Sequence, residues 1–188
     1  MPNITYESIT YNNIDFLEGL CNQLMKFQAD HATIRPDIMA SMNYNNRLKP
    51  EYATTLEKRL IVAFDNERPV GFAFATVGSV TEKNMNKKPG WTAEFDGIGF
   101  YPENYKVPTT IGTFKLLYVE NEYRKYRIGS QLSNMIMEWL HSHANVEDFW
   151  VYVANGNEIV GKFYEKYGFI FSHSVFNGFI HAYCQKKK

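Results

Sequence analysis

The chain has 188 residues, 45% hydrophobic and 21% charged, a composition typical of one globular domain with a sizeable core. The 20 Lys and Arg residues are balanced by 20 Asp and Glu residues, so a basic surface that binds nucleic acid is not expected. No segment approaches the ~18 consecutive apolar residues of a membrane span, and the N-terminus lacks an apolar signal core, so no membrane partner is expected.

The two cysteines, Cys21 and Cys184, lie at opposite ends of the chain. Their spacing matches neither a metal site nor a disulfide framework. The sequence therefore predicts two reduced thiols, no bound metal and a cytoplasmic location.

In residues 1–80, helices are followed by a β-hairpin. The segment ITYES predicts a short strand, and Asn13 precedes a helix whose apolar residues recur at helical spacing. Shorter helices are predicted after Pro36 and around Pro50. The segments LIVAFD and VGFAFATVGSV, joined by NERP, predict an antiparallel hairpin.

Residues 81–110 are polar, interrupted by Gly and Pro, and rich in aromatic side chains. A stretch of this length inside a compact domain is either functional or hides short strands. We interpret it as a loop on the substrate side of the domain.

Residues 111–188 predict the order strand, helix, strand, helix and hairpin. The strands TFKLLYV and FWVYVA are separated by a helical segment, so they should be parallel and joined by a right-handed crossover. A second helix, NEIVGKFYEKY, should end at Gly168. Asn177 and Gly178 should form the primed turn of the last hairpin.

Three cations, Arg124, Lys125 and Arg127, lie where the first of these helices begins. A helix N-terminus is already electropositive, so added cations there are unfavourable unless an anion binds. Gly129 permits close approach and Ser130 adds a hydroxyl, which together with the first-turn amides suits a phosphate. A solvated basic turn is the alternative interpretation.

The segment LLYVENEYRKYRIGSQL resembles motif A of the GNAT acetyltransferase superfamily, in which a strand leads through Arg/Gln-x-x-Gly-x-Gly/Ala into a helix. Arg127 stands where the family has its first glycine. The resemblance implies that the loop amides bind the pyrophosphate of acetyl-CoA and that the preceding strand pairs with the pantetheine arm. The residues it assigns to acetyl-CoA in this segment are Leu117, Tyr118, Val119, Arg124, Lys125, Tyr126, Arg127, Ile128, Gly129 and Ser130.

The segment NEIVGKFYEKYGF resembles motif B of the same family, Asn-x-x-Ala-x-x-Phe-Tyr-x-x-x-Gly-Phe, with Val160 in place of alanine. Asn157 and Tyr164 lie about two helical turns apart and share a helix face. The resemblance implies that both contact acetyl-CoA and that the Tyr164 hydroxyl protonates the leaving thiolate. Taken singly, Asn157 is better explained as a helix cap and Tyr164 as a half-buried core tyrosine; the two residues in register favour the functional interpretation.

The resemblance implies a single α/β domain, of mixed α+β character, with a twisted mixed sheet flanked by helices on both faces. It implies an acyltransferase that moves the acetyl group of acetyl-CoA to a primary amine, of a small molecule or a peptide N-terminus, by direct attack. The backbone N–H of Val119 is assigned to the thioester carbonyl. Tyr152 occupies the position of the glutamate base found in some members, so Glu120, Glu94, Asp96 and a water chain remain as routes for the amine proton.

A regulatory or catalytically inactive CoA-binding module of the same fold is the alternative function. The expected partners are acetyl-CoA and an amine acceptor, with neither nucleic acid nor membrane. A homodimer, the identity of the acceptor and the acyl chain length are left open by the sequence.

Overall fold

The computed structural model describes residues 2–187. The strands and α-helices are, in chain order, β1 (Ile4–Ile9), α1 (Glu18–His31), α2 (Pro36–Ala40), α3 (Leu48–Thr54), β2 (Lys58–Asp65), β3 (Arg68–Val80), β4 (Thr109–Val119), α4 (Ile128–Ser142), β5 (Asp148–Ala154), α5 (Glu158–Glu165), β6 (Ile170–Val175) and β7 (Ile180–Lys186). Short 3₁₀ turns occupy Asp15–Leu17, Gly90–Thr92 and Asn121–Tyr126.

The seven strands form one mixed sheet in the order β1-β2-β3-β4-β5-β7-β6. Strands β1, β2 and β3 are antiparallel neighbours, and β7 is antiparallel to both β5 and β6. The amide of Glu147 donates to the carbonyl of Thr110 over 2.9 Å. Strands β4 and β5 therefore begin side by side, as the predicted parallel pair requires.

The first predicted helix is present, but it starts later than its sequence pattern suggests. The side chain of Asn13 accepts a hydrogen bond from the Asp15 amide over 3.0 Å, and a 3₁₀ turn follows before α1 begins at Glu18. The Asn13 side chain therefore bonds the first residue of this turn and, contrary to the prediction, does not cap the α-helix. The predicted apolar stripe is buried at Ile14, Leu17, Leu20, Cys21 and Leu24, whereas Phe27, its last member, is half-buried.

The long segment between β3 and β4 contains no strand among its described residues, so the alternative of hidden strands is wrong. Its one regular element is the turn Gly90–Thr92. Aromatic packing holds the segment instead: Phe95 lies 4.5 Å from Phe179 and 5.6 Å from Phe176 between ring centroids. Trp91 lies 5.7 Å from Phe179. These contacts, with the hydrogen bond from the Phe176 amide to the Ile98 carbonyl over 2.8 Å, order the loop without a strand.

The last hairpin contains the predicted primed turn: Asn177 and Gly178 have φ values of 55° and 91°, and the Phe179 amide donates to the Phe176 carbonyl over 3.3 Å. A second turn, shifted by one residue, overlaps it. Phe176 and Asn177 have φ values of 48° and 55°, and the Gly178 amide donates to the Val175 carbonyl over 3.2 Å. Two consecutive positive φ angles inside this hydrogen bond define a type I′ turn. The Phe176 ring is fully buried, and that burial offsets the cost of a left-handed conformation in a bulky residue.

The contacts of the chain divide it into two compact units, each assembled from three segments. The first unit comprises the chain up to Phe27, Met42–Thr76 and Phe114–Ala144. The second comprises Gln28–Ser41, Val77–Thr113 and the chain from Asn145 onward. The first contains α3, α4 and the end of β4, and the second contains α2, α5 and strands β5 to β7.

None of the helices within residues 2–187 combines the length and the apolar character that crossing a bilayer requires.

Neither thiol should react readily in the native protein at neutral pH. Burial raises the pKa of the Cys21 thiol to about 11 and that of Cys184 to about 12, so almost no thiolate is present to react. We expect slow labelling by an aromatic disulfide reagent in buffer and rapid labelling of both thiols in denaturant, followed by absorbance. Rapid labelling of the folded protein would contradict the burial of these groups.

Candidate functional site

The end of β4, where the pantetheine arm is predicted to bind, is held closely against β3. A Cβ on Gly71 would lie 2.9 Å from the Tyr118 carbonyl oxygen and 3.2 Å from Val119 Cγ2, so only glycine fits there without displacement. The Glu120 amide donates to the Val70 carbonyl over 3.0 Å. These contacts fix the backbone on both sides of Val119.

The start of α4 carries a set of donors that suits a phosphate. The first hydrogen bond of the helix runs from the Gln131 amide to the Arg127 carbonyl over 3.1 Å. The amides of Ile128 and Gly129 precede it, and first-turn amides have no acceptor inside their own helix. Their orientation along the helix axis favours an anion at this end, as the phosphates of a CoA molecule require.

Gly129 leaves open space at this helix start. A Cβ added there would meet only Val119 Cγ2, at 3.8 Å, and the residue has no positive φ. Neither packing within the protein nor backbone conformation therefore calls for glycine, although glycine in a helix costs about 0.5–1 kcal/mol relative to alanine. The missing side chain is explained if a ligand approaches the backbone at this point.

Arg127 precedes α4 in a left-handed conformation, with φ of 59°. A residue other than glycine pays about 1–2 kcal/mol for that conformation. The family pattern has glycine at this position, and the structure keeps the backbone geometry that glycine adopts most easily. The Arg127 side chain is exposed, so it remains available to an incoming anion.

The Arg124 side chain contacts the end of β4, which its location in the basic segment does not predict. Its Nε–H donates to the Val119 carbonyl over 3.1 Å. Its guanidinium lies 5.1 Å from the Phe27 ring and 5.9 Å from the Tyr118 ring. Arg124 thus folds back onto the end of β4, and its role toward phosphate remains a prediction.

Lys125 lies over the ring of Tyr126, with Nζ 5.2 Å from the ring centroid. Both side chains are exposed, so the ammonium group is available to solvent and to an anion. The predicted cation cluster therefore divides into one anchored arginine and two exposed cations beside the helix start.

Tyr164 lies on α5, in the second unit, and is 5% exposed. Gly161, one turn earlier, lets α5 pack tightly on β7, because a Cβ there would lie 2.2 Å from the Tyr183 hydroxyl oxygen. The ring of Tyr164 packs edge-on against Phe169, with centroids 6.0 Å apart. Burial raises the pKa of Tyr164 well above its ordinary value, so the phenol keeps its proton throughout the neutral range.

Asn157 takes the N-cap position of α5, but its side chain makes no capping hydrogen bond. The residue is 7% exposed. Its interpretation as an ordinary helix cap therefore lacks the bond that defines one. A buried amide that does not serve its own helix is suited to contact a ligand.

The three carboxylates considered as bases differ in their surroundings. Glu120 has a side chain 12% exposed and pairs with Arg68 over 2.6 Å. Glu94 is 71% exposed and pairs with Arg35 over 3.0 Å, whereas Asp96 is exposed at the surface. Glu120 is the most enclosed of the three, and it directly follows Val119.

The hydroxyl proton of Tyr152, the residue at the position where some family members carry a glutamate, is already used in a hydrogen bond. Its hydroxyl donates to the Phe100 carbonyl over 2.9 Å. Burial raises its pKa well above the ordinary value. The residue therefore anchors the long loop to β5 and is a poor source of protons for a leaving group.

Two residues with notable contacts are not predicted from the sequence. Arg68 pairs with Glu120 across 52 positions, and Asn155 is a fully buried amide directly after β5. The only sequence signal for Asn155 is a polar residue that ends an apolar strand and precedes glycine.

Within residues 2–187, no group of three or more His, Cys, Asp or Glu side chains could hold a metal ion.

Residues 26–169 match the sequence model of the acetyltransferase (GNAT) family. No curated protein matches the chain in sequence.

Several solved structures share the fold. The PaiA N-acetyltransferase of Thermoplasma acidophilum, in complex with coenzyme A, is 14% identical, with a TM-score of 0.64 over 98% of this chain and 99% of that one. Naa50 of Arabidopsis thaliana, with the bisubstrate analogue CoA-Ac-MVNAL, is 16% identical, with a TM-score of 0.59 over 98% and 99%. A GNAT-family acetyltransferase of Streptococcus pneumoniae is 14% identical, with a TM-score of 0.60 over 98% and 100%. The predicted fold, a mixed sheet with helices, is confirmed.

Proposed function

The chain belongs to the GNAT acetyltransferase family and is an acyltransferase whose co-substrate is acetyl-CoA; on that premise we propose that it acetylates a primary amine. The acceptor is the amine of a small molecule or of a peptide N-terminus, and it attacks the thioester directly. The observation that carries the proposal is the open start of α4, where Gly129 leaves free space in front of first-turn amides. The Naa50 structure with CoA-Ac-MVNAL supports a peptide N-terminus as one acceptor class.

When bound, acetyl-CoA supplies an activated acetyl group, and the protein's residues hold and polarise it. The first-turn amides of α4, with Lys125 and Arg127 beside them, would bind its phosphates. The pantetheine arm would bind to the backbone of Leu117, Tyr118 and Val119. The side chain of Asn157 would also contact it. The Val119 N–H would polarise the thioester carbonyl, since a fixed backbone donor stabilises charge that develops on that oxygen.

Two proton movements remain. Tyr164, kept protonated by its burial, would give its proton to the leaving thiolate. Glu120, enclosed and next to Val119, is the carboxylate we assign to the amine proton, directly or through water. The ion pair with Arg68 competes for the Glu120 oxygens, and a water chain is the alternative route.

A panel of amines incubated with acetyl-CoA tests the proposed function. The panel contains alkylamines, arylalkylamines, polyamines and short peptides with free N-termini, and the free thiol released is compared with an amine-free reaction. We expect thiol release above that background for at least one class, with the acetylated amine found by mass spectrometry. Calorimetric binding of CoA without thiol release from any amine would instead favour the inactive CoA-binding module.

Gly129→Ala should stabilise the protein and weaken CoA binding. Alanine is the better helix former by about 0.5 kcal/mol near a helix end, and its Cβ meets no protein atom closer than 3.8 Å. The same methyl would stand in the space assigned to the phosphates, which should lower CoA affinity about tenfold. Thermal denaturation and calorimetric titration with CoA measure the two effects.

Gly19→Ala is the matched control, because Gly19 also lies near a helix start with no atom within 4 Å of an added Cβ. We expect it to raise the melting temperature similarly and to leave CoA affinity unchanged. Equal CoA affinity in both variants would argue against a phosphate at the start of α4.

A further inference from the structure

Strand β6 contains one residue more than its pairing with β7 requires. Phe171 pairs with Tyr183 and His173 pairs with Ala182, so Ser172 is an extra residue in the register. This is a β-bulge, in which two residues of one strand face one residue of the other. Bulges are frequent at sheet edges and redirect side chains, and β6 is an edge strand of this sheet.

The bulge brings two consecutive side chains together. In a regular strand, neighbouring side chains point to opposite faces of the sheet and do not meet. Here the Ser172 Oγ lies 2.9 Å from His173 Nδ1. Ser172 is exposed and His173 is half-buried, so a hydroxyl that water could satisfy is instead held against an imidazole ring.

The other ring nitrogen fixes where the hydrogen of neutral His173 resides. His173 Nε2 lies 2.9 Å from the carbonyl oxygen of Gly99, and a carbonyl oxygen can only accept a hydrogen bond. Nε2 therefore carries the hydrogen, and Nδ1 keeps its lone pair. It follows that the Ser172 hydroxyl donates to Nδ1, so its proton already faces a base.

A further contact fixes the orientation of the imidazole. The His173 ring packs edge-on against Trp150, with centroids 6.2 Å apart and an interplanar angle of 74°. Trp150 is fully buried in β5, and its indole N–H donates to the Tyr105 hydroxyl over 3.3 Å. The ring that supports His173 is therefore itself held in place, and the imidazole cannot turn away from Ser172 without losing both contacts.

A hydroxyl, a base within hydrogen-bond reach and a third group that orients the base are the arrangement that activates a serine nucleophile. The pair of Ser172 and His173 has all three, because the Gly99 carbonyl takes the orienting place that a carboxylate takes in a Ser-His-Asp triad. A carbonyl carries no full charge with which to stabilise an imidazolium. The activation should therefore be weaker than in a hydrolase.

We propose that Ser172 is a nucleophile, activated by His173, that takes the acyl group of a small activated ester and forms an O-acyl serine on the chain. The hydroxyl oxygen bonds the acyl carbon while its proton passes to His173 Nδ1. The bond from the acyl carbon to the leaving oxygen then breaks, and Nδ1 returns the proton to that oxygen. Neither residue belongs to those assigned to acetyl-CoA, and the inference does not depend on the proposed amine acetylation.

Reaction of the full chain with p-nitrophenyl acetate tests the inference. We expect p-nitrophenolate release, followed by absorbance, to be slower in Ser172→Ala than in the wild type. In samples quenched early, mass spectrometry with fragmentation should find an acetyl group at Ser172. Hydroxylamine should remove it, because hydroxylamine cleaves an ester and leaves acetylated amines intact. His173→Gln keeps a polar side chain without a base and should slow labelling of Ser172 about 100-fold, near the lower end of a general-base contribution.

Ser174→Ala is the matched control. Ser174 lies on the same strand and is likewise exposed, but it lies outside the bulge. We expect this variant to be labelled at Ser172 as fast as the wild type, and we expect much less acetyl on Ser174 than on Ser172 in the wild type. Ser172→Ala changes only an exposed side chain, so its melting temperature should stay near that of the wild type. This variant keeps the test decisive if His173→Gln does not fold.

Three results would overturn the inference: equal release of p-nitrophenolate by Ser172→Ala and the wild type, equal labelling of Ser172 and Ser174, or unchanged labelling of Ser172 in a folded His173→Gln protein. Each would show that Ser172 has the reactivity of an ordinary surface serine. None would bear on amine acetylation, which thiol release from acetyl-CoA measures separately.

Discussion

Tyr164→Phe should lower kcat by roughly 10²–10³ while acetyl-CoA affinity barely changes. Phenylalanine keeps the ring that packs against Phe169 and removes only the hydroxyl. The phosphate and pantetheine contacts are assigned to other residues, so binding should be preserved. A loss confined to the chemical step marks an interaction made in the transition state.

The pH dependence adds a second criterion. Burial raises the pKa of Tyr164 above its ordinary value, so the protonated phenol is the form that folding favours. The buried, protonated phenol therefore contributes fully to the free energy of unfolding at pH values below ~10, the pKa of tyrosine in the unfolded chain. That contribution is lost as the pH rises above this value. An alkaline loss of kcat below that range should therefore come from another group.

Tyr152→Phe is the control for this prediction. It removes the same atom from the rival tyrosine and leaves the Phe100 carbonyl without its donor. We expect a lower melting temperature, by the loss of about 1–2 kcal/mol for an unsatisfied buried acceptor, and a kcat near that of the wild type. If Tyr164→Phe kept its turnover while its melting temperature fell, Tyr164 would be a core residue and another donor would protonate the thiolate.

Gly156→Ala should be the most destabilising small substitution at the β5–α5 connection. The new Cβ would lie 1.8 Å from the His31 carbonyl oxygen and 2.6 Å from its carbon. Both are backbone atoms, so neither can rotate away, and the left-handed φ of +78° adds about 1–2 kcal/mol for any residue other than glycine. Relief of the clash would stretch the hydrogen bonds that the amides of Thr33 and Ile34 donate to the Asn155 side chain.

We expect the free energy of unfolding to fall by about 3 kcal/mol or more, in the range of severe single substitutions. Chemical and thermal denaturation measure it. Gly19→Ala, where the added Cβ meets nothing, should instead be stabilising. A Gly156→Ala protein as stable as the wild type would mean that segment 31–35 can move away from α5 without cost.

Local patterns in the sequence predict much of this fold. The periodicity of α1 and α4, the apolar runs of β2 and β3, and the positive φ of Gly168 depend on residues close together in the chain. The motif segments at the start of α4 and along α5 are likewise contiguous. Each such feature is a matter of neighbouring residues and short-range geometry.

Long-range features could not be predicted in the same way. The bonds of Asn155 to Thr33 span 122 positions, and no local pattern reports them. Arg124 has a long, flexible side chain, so its position in a basic segment does not fix its partner, and in the structure it binds the Val119 carbonyl. The Asn177–Gly178 turn follows the local Asn-Gly preference, whereas the left-handed conformation of Phe176 depends on burial of its ring among residues distant in the chain.

The interleaving of the two compact units limits how this protein can exchange parts with its relatives. Six alternating segments meet at five junctions, which fall at 27/28, 41/42, 76/77, 113/114 and 144/145. Three of the five lie inside α1, β3 and β4. A single crossover between homologous genes therefore transfers neither unit intact. At three of the five junctions it would also divide a helix or a strand. Chimeras should therefore replace short segments, each together with the residues that it contacts, rather than a half of the chain.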